Sequence, residues 1–193
     1  MLTAAYDAEV RYRGGTYRPT PGTQAAIAKA AAALSAHSSP TRRKCGIMLL
    51  GLPGGGKTTL VYAIQSLIGY LADRHALLGP NDEKASLAFI TALDIARASH
   101  ERKEFDRIAT QPLLAIDDLG LEPTETLDYG NVRNPIIEII TRRYDRQLYT
   151  ILTSNISPEG VREKYGDRIA DRFNEMMTKI VFDTTQETTF RKQ

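Results

Sequence analysis

Residues 51–59 read Gly51-Leu-Pro-Gly-Gly-Gly-Lys57-Thr58-Thr59. Three consecutive glycines, Gly54, Gly55 and Gly56, let a backbone turn sharply and bring its N–H groups against an anion. A lysine and two hydroxyls follow at once. The spacing fits G-x-x-x-x-G-K-[ST], a phosphate-binding loop opening onto a helix whose N-terminal dipole also favours negative charge. Pro53 and the glycines would form the cradle. Lys57 would reach the β- and γ-phosphates of a nucleoside triphosphate, the Thr58 hydroxyl would ligate Mg²⁺, and Thr59 would bond the α-phosphate. The alternative is a glycine-rich turn that holds no ligand.

Three further groups have types and spacing suited to the same chemistry. Leu113-Leu-Ala-Ile-Asp117-Asp118-Leu119 is an apolar run ending in two carboxylates. Adjacent carboxylates repel unless a cation or a hydrogen-bond network compensates. Asp117 would hold Mg²⁺ with Thr58, and Asp118 would polarise an attacking water. Such a pair also caps loops, but its place downstream of Lys57, with another strand between, favours the metal reading. Tyr149-Thr-Ile-Leu-Thr153-Ser154-Asn155 is a second apolar run with a polar tip. Asn155 would orient the water or touch the γ-phosphate; otherwise Ser154 and Asn155 cap the strand before the turn at Pro158. In Gly166-Asp-Arg168-Ile-Ala-Asp-Arg172-Phe, the arginines are four apart and share one helix face. An anion opposite them, such as the γ-phosphate of a neighbouring subunit, would relieve their repulsion. A solvated face is the rival reading, with Asp171 paired to Arg168 and Glu175 to Arg172.

These groups need a scaffold. Near-continuously apolar runs at 46–50, 87–91, 113–116, 149–153 and 179–182 read as strands buried on both faces of a parallel sheet. Helical patterns fill the intervals at 58–74, 92–109, 135–146 and 158–177. Alternation of this kind predicts an α/β, three-layer architecture. Residues 45–193 would be this core. Residues 1–44 would be a basic segment with one helix at 24–36, capped by Thr23, after a turn-rich loop at 10–22. Residues 121–134, with Asp128, Tyr129 and Asn131, read as a polar loop facing a neighbour or the nucleotide. A plain connector with Asn134 capping a helix from Pro135 fits equally.

The chain has 193 residues, 42% hydrophobic and 25% charged, enough for one sizeable domain. Its net charge is +2. Residues 1–44 carry seven basic and two acidic side chains, +5, which leaves −3 for the rest. Nucleic-acid affinity would therefore come from local patches. The single cysteine, Cys45, excludes an intrachain disulfide framework and a cysteine-rich zinc site. No run is long and apolar enough for a bilayer span, so no membrane partner and a cytoplasmic location are expected.

The order of P-loop, acidic strand end, T-S-N tip and R-x-x-x-R helix resembles an AAA+ ATPase. More closely, LLAIDDLG, ILTSN, GDRIADRF and the ending TTFRKQ resemble helicase loaders of the DnaC type and transposition helper ATPases of the IstB type. The resemblance spans about residues 40–193. It implies a five-stranded parallel sheet of order 5-1-4-3-2, ATP as ligand, nucleotide-dependent homo-oligomers and binding to DNA, single-stranded in the first instance. The macromolecular partner would be a replicative helicase or a transposase. Arg172, with Arg168 as second candidate, would act in trans on a neighbour's nucleotide. Neither a separate helicase-gripping domain nor a C-terminal helical lid is expected. Asp118 stands where many AAA+ enzymes carry the longer glutamate, so slow hydrolysis is expected.

Two patches are candidates for DNA: Arg97, His100, Arg102 and Lys103, and the N-terminal segment with Tyr12 and Tyr17 among its arginines. Glu101, Glu104 and Asp106 beside the first patch suggest a solvated face instead. In AAA+ proteins the chain before the P-loop often contributes to the adenine pocket, which would place Tyr17 or Pro19 there. Competing readings are a P-loop kinase acting on a small molecule and a nucleotide-gated scaffold that barely turns ATP over.

Overall fold

A computed structural model describes residues 1–36, 44–79, 83–128 and 131–182. Its centre is a parallel sheet of β1 (Gly46–Gly51), β2 (Ala88–Thr91), β3 (Leu113–Leu119), β6 (Tyr149–Ser154) and β7 (Met177–Phe182). The spatial order is β2-β3-β6-β1-β7. Numbering only these five strands, that is 2-3-4-1-5, the expected 5-1-4-3-2 order read from the opposite edge. β1 and β6 lie between two neighbours and are buried along nearly their whole length, which explains their unbroken apolar runs.

Each face of the sheet has its own core. On one side α1 (Leu2–Tyr12), α2 (Pro21–Ser35) and α3 (Lys57–Asp73) bury Tyr6, Ile27, Leu60 and Ile64 against Ile47, Leu49 and Ile151. On the other, α4 (Ala92–Ala98), α5 (Arg102–Ala109), α6 (Pro135–Asp145), α7 (Pro158–Tyr165) and α8 (Asp167–Met176) cover Met48, Leu114, Ile116 and Leu152. This is the three-layer arrangement. Among the described residues, no helix is long and apolar enough to cross a membrane.

The N-terminal region departs from expectation. It holds two helices, not one. Leu2, Tyr6 and Val10 recur at four-residue spacing and bury one stripe of α1, which packs on α3. The loop therefore starts after Tyr12. Thr20, not Thr23, caps α2: its hydroxyl accepts from the Thr23 N–H at 3.2 Å, with Pro21 at the first helical position.

Two expected long helices are each broken. The 92–109 pattern splits at residues 99–101, where the Ser99 hydroxyl turns back to the Ala96 carbonyl at 2.7 Å. The 158–177 pattern splits at Gly166, whose φ of +82° a side-chain-bearing residue rarely adopts. Met177 already belongs to β7. Within the polar stretch 121–134, β4 (Thr126–Asp128) and β5 (Asn131–Arg133) pair antiparallel. Tyr129 lies outside the described residues, as do His37, Arg42, Arg43 and the TTFRKQ ending. Asn134 caps α6, accepting from the Ile137 N–H at 3.0 Å.

Candidate functional site

The C-terminal ends of β1, β3 and β6 open onto a cavity of about 700 Å³. The P-loop forms its floor, with Pro53, Gly54, Gly55, Gly56, Lys57, Thr58 and Thr59 all lining it. Gly54 and Gly56 have φ of +81° and +91°, the left-handed region that glycine supplies at least cost. Gly56 has a second reason to be glycine. A Cβ there would lie 2.2 Å from the Tyr6 hydroxyl. Lys57 is buried, and its ammonium donates to the carbonyls of Gly51 and Leu52, each at 2.9 Å. Burial pulls the Lys57 pKa below its ordinary value, while Asp118 and Asp117 oppose that shift.

Asp117 and Asp118 sit on a bulge. Ile116 pairs with Leu152 and Leu119 with Ser154, so both acids face the single residue Thr153. Asp118 takes a φ of +56°, rare for a non-glycine residue. Thr153 holds the kink: its hydroxyl donates to Asp117 Oδ1 at 2.6 Å and accepts from the Asp118 N–H at 2.9 Å. From the P-loop side, the Thr58 hydroxyl lies 3.1 Å from both Asp117 oxygens. Burial pushes the Asp117 carboxyl above the usual range and Asp118 adds to this; bonds from Thr153 and Thr58, with the Lys57 charge, work the other way.

Asn155 also lines the cavity, and its Oδ1 is buried without a hydrogen-bond partner among the described residues. Ser154 instead turns into the sheet and donates to the Leu119 carbonyl at 2.7 Å. Lys57, Thr58, Asp117, Asp118 and Asn155 are thus brought together.

The arginine helix is organised differently from the sequence expectation. Arg172 is 8% exposed, not on an open face. Its guanidinium donates to Thr141 Oγ1, stacks over the Tyr144 ring at 5.1 Å and lies 3.9 Å from Asp145. Arg168 is exposed and forms no hydrogen bond or ion pair among the described residues. Asp171 pairs with Arg162 at 3.5 Å and Glu175 accepts from the Tyr144 hydroxyl, so the Arg168–Asp171 and Arg172–Glu175 pairs of the rival solvated-face reading do not form. Neither arginine lines the cavity of its own chain.

The cavity's remaining wall comes from the N-terminal segment, as expected, but from other residues. Tyr6, Val10, Arg13, Gly14 and Gly15 from α1 and its following turn line it, not Tyr17 or Pro19. Tyr17 packs edge-on against Tyr6, ring centroids 5.3 Å apart. Arg13 bonds Glu9 at 2.7 Å and stacks on Tyr62 at 4.6 Å. The available signal was the four-residue spacing of Leu2, Tyr6 and Val10 ahead of the Gly14–Gly15 pair. In the two candidate DNA patches the described arginines are exposed, and several of them are paired with acids. Arg97 pairs with Asp94 at 3.0 Å, Arg102 lies 3.9 Å from Asp106, and Arg11 pairs with Asp7 at 2.7 Å. His100 lies in the break between α4 and α5.

Sheet order, phosphate loop and acid-bearing strand end together define a three-layer α/β fold with its glycine-rich loop and acids at the C-terminal ends of parallel strands. Solved structures share it. A DnaC helicase loader superposes with a TM-score of 0.65 at 24% identity, over 86% of this chain and 93% of that one. DnaI gives 0.62 at 23% identity, over 86% and 87%. The replication initiator DnaA, bound to AMPPCP and single-stranded DNA, gives 0.57 at 20% identity, over 85% and 48%. At these identities the likeness establishes the fold. No protein-family model and no curated protein sequence matches the chain.

Proposed function

We propose that this chain binds ATP, hydrolyses it slowly and acts on DNA as a helicase loader in replication. The observation that carries the reading is the linked set Thr58–Asp117–Thr153, which joins phosphate loop, acidic strand and neighbouring strand in one cavity beside Lys57. The donor set fits Mg²⁺, with a hydroxyl and a carboxylate already turned toward each other. Among the described residues no group of three or more His, Cys, Asp or Glu is gathered to hold a metal alone. Phosphate oxygens and waters would complete the shell, as Mg²⁺ prefers. When bound, the ion would neutralise charge on the transferring phosphate.

The chain's own groups would act as follows. The Lys57 ammonium exchanges its two loop carbonyls for phosphate oxygens. Asp118 accepts one proton from the attacking water, and Asn155 Oδ1, which has no partner among the described residues, accepts a hydrogen bond from the O–H that the water keeps. Val10 and the Gly14–Gly15 turn flank the base. Arg168, free on the surface, reaches the γ-phosphate of a neighbouring copy, while Arg172 holds α8 against α6. The fold likeness to a helicase loader and to an initiator holding single-stranded DNA supports the replication reading over the transposition one.

The test is a salt-titrated binding assay with single- and double-stranded DNA, with and without ATP. The reading expects ATP to tighten binding to single strands. Binding that is absent or indifferent to nucleotide would turn the reading toward a scaffold or a small-molecule kinase.

A further inference from the structure

Glu122 is a buried carboxylate, 3% exposed, four residues beyond Asp118 and outside the chemistry proposed above. It closes the turn that follows the acids. Its Oε2 accepts from the Gly120 N–H at 2.9 Å. Its Oε1 accepts from the Tyr165 hydroxyl and lies 3.5 Å from the Lys164 ammonium. That ammonium also donates to the Gly120 carbonyl at 2.7 Å and the Glu122 carbonyl at 2.5 Å. The turn is therefore held from one side by β6, through Thr153 and Ser154, and from the other by the last two residues of α7.

The two ends of this network are different kinds of surface. One end is the turn carrying Asp118 and Leu121, which line the cavity. The other is the α7–α8 junction: Gly166 follows Tyr165 directly, and Arg168 lies in the first turn of α8. Gly166 at φ +82° leaves that junction as a corner between two short helices. A turn with a left-handed Asp118 stores backbone strain, and a ligand at Asp118 bears on it first. Burial and the Glu122 carboxylate beside it push the Tyr165 hydroxyl up, so it stays a donor.

We propose that Glu122, Lys164 and Tyr165 are positioning residues that tie the acid-bearing turn to the α7–α8 corner, so that triphosphate at Asp118 sets the placement of Arg168. This rests on the nucleotide-site reading above and deepens it. A buried carboxylate with three donors around it is rigid, and removing one partner leaves the others unmatched. Displacement of the turn is therefore passed to the corner rather than absorbed.

The experiment is amide hydrogen exchange on the wild type, Glu122→Gln and Tyr165→Phe, each with and without the non-hydrolysable analogue AMPPCP, whose affinity is titrated alongside. Tyr165→Phe removes one hydroxyl and guards against misfolding of the Glu122 variant. In the wild type, AMPPCP should slow exchange at 57–60, 118–122 and 164–172. In both variants the analogue should still bind, within about threefold, and still protect 57–60, while its effect on 164–172 disappears. A purely packing role would instead raise exchange at 164–172 equally in the free and bound states. That result, or protection of 164–172 that survives in both variants, overturns the coupling. Failure of the wild type to bind AMPPCP overturns the nucleotide-site reading itself, and the coupling with it.

Discussion

Asp117 is the residue on which the proposed chemistry turns, and its surroundings give it two opposite pH dependences. Burial is the largest influence on it and raises its carboxyl above the ordinary value of 3.8. Between that ordinary value and the raised one, the folded protein holds a proton that the unfolded chain has released. The folded state binds more protons there, so stability falls as pH rises through this window. Nucleotide with Mg²⁺ needs the ionised form, so affinity should rise through the same window. Thermal melts and Mg²⁺·ATP titrations across pH test both slopes, and Asp117→Asn should flatten the first and abolish the second. Asp118 has a separate task. Asp118→Asn should keep ATP affinity within a few-fold but lower turnover by about a hundredfold, as loss of a general base does; single-turnover hydrolysis measures it.

At the scale of elements, the clearest case is α1 against the phosphate loop. Gly56 must adopt φ +91° and leave room for the Tyr6 hydroxyl. Gly56→Ala meets both penalties. The left-handed backbone alone costs about 1–2 kcal/mol for a residue with a side chain. The clash adds to this, and Tyr6→Phe should relieve the clash but not the strain. Denaturant midpoints of the two single variants and the double variant should therefore show partial rescue; strictly additive losses would contradict the contact. The same elements show what was legible beforehand. The strands of the sheet and the loop between β1 and α3 were visible because buried parallel strands leave unbroken apolar runs and phosphate cradles need glycine in series. The covering α1 was not visible, because three buried residues in a polar segment give a weak periodic signal. Broken helices were missed for a related reason: the apolar period continues across Ser99 and Gly166, while a local hydroxyl bond or a positive φ ends each helix. Glu122 was missed because a glutamate two residues after a glycine looks solvated until a tyrosine and a lysine from another element close over it. The bulge at Asp117 and Asp118 was hidden as well, since strand register is a property of two strands.

For the whole molecule, the question is whether one chain completes its own site. The cavity gathers the P-loop, both acids and Asn155 but no arginine from α8. Arg168 is exposed, and Arg172 is engaged by Thr141 and Tyr144. Arg168→Ala should leave ATP binding intact and lower hydrolysis. Mixed with Lys57→Ala, it should recover part of the lost activity, because each variant supplies what the other lacks. Arg172→Ala should instead lower the melting temperature, by loosening α8 from α6. Hydrolysis that is indifferent to Arg168, and lost through Arg172 without loss of stability, would reverse the two roles.

All of this depends on one claim, that the cavity at the ends of β1, β3 and β6 is a nucleotide site. Isothermal titration of the wild type and Lys57→Ala with Mg²⁺·ATP tests it most directly. The expected result is saturable one-to-one binding by the wild type and none measurable for Lys57→Ala, with both proteins melting cooperatively. Equal affinity in the two proteins would contradict the assignment of the site.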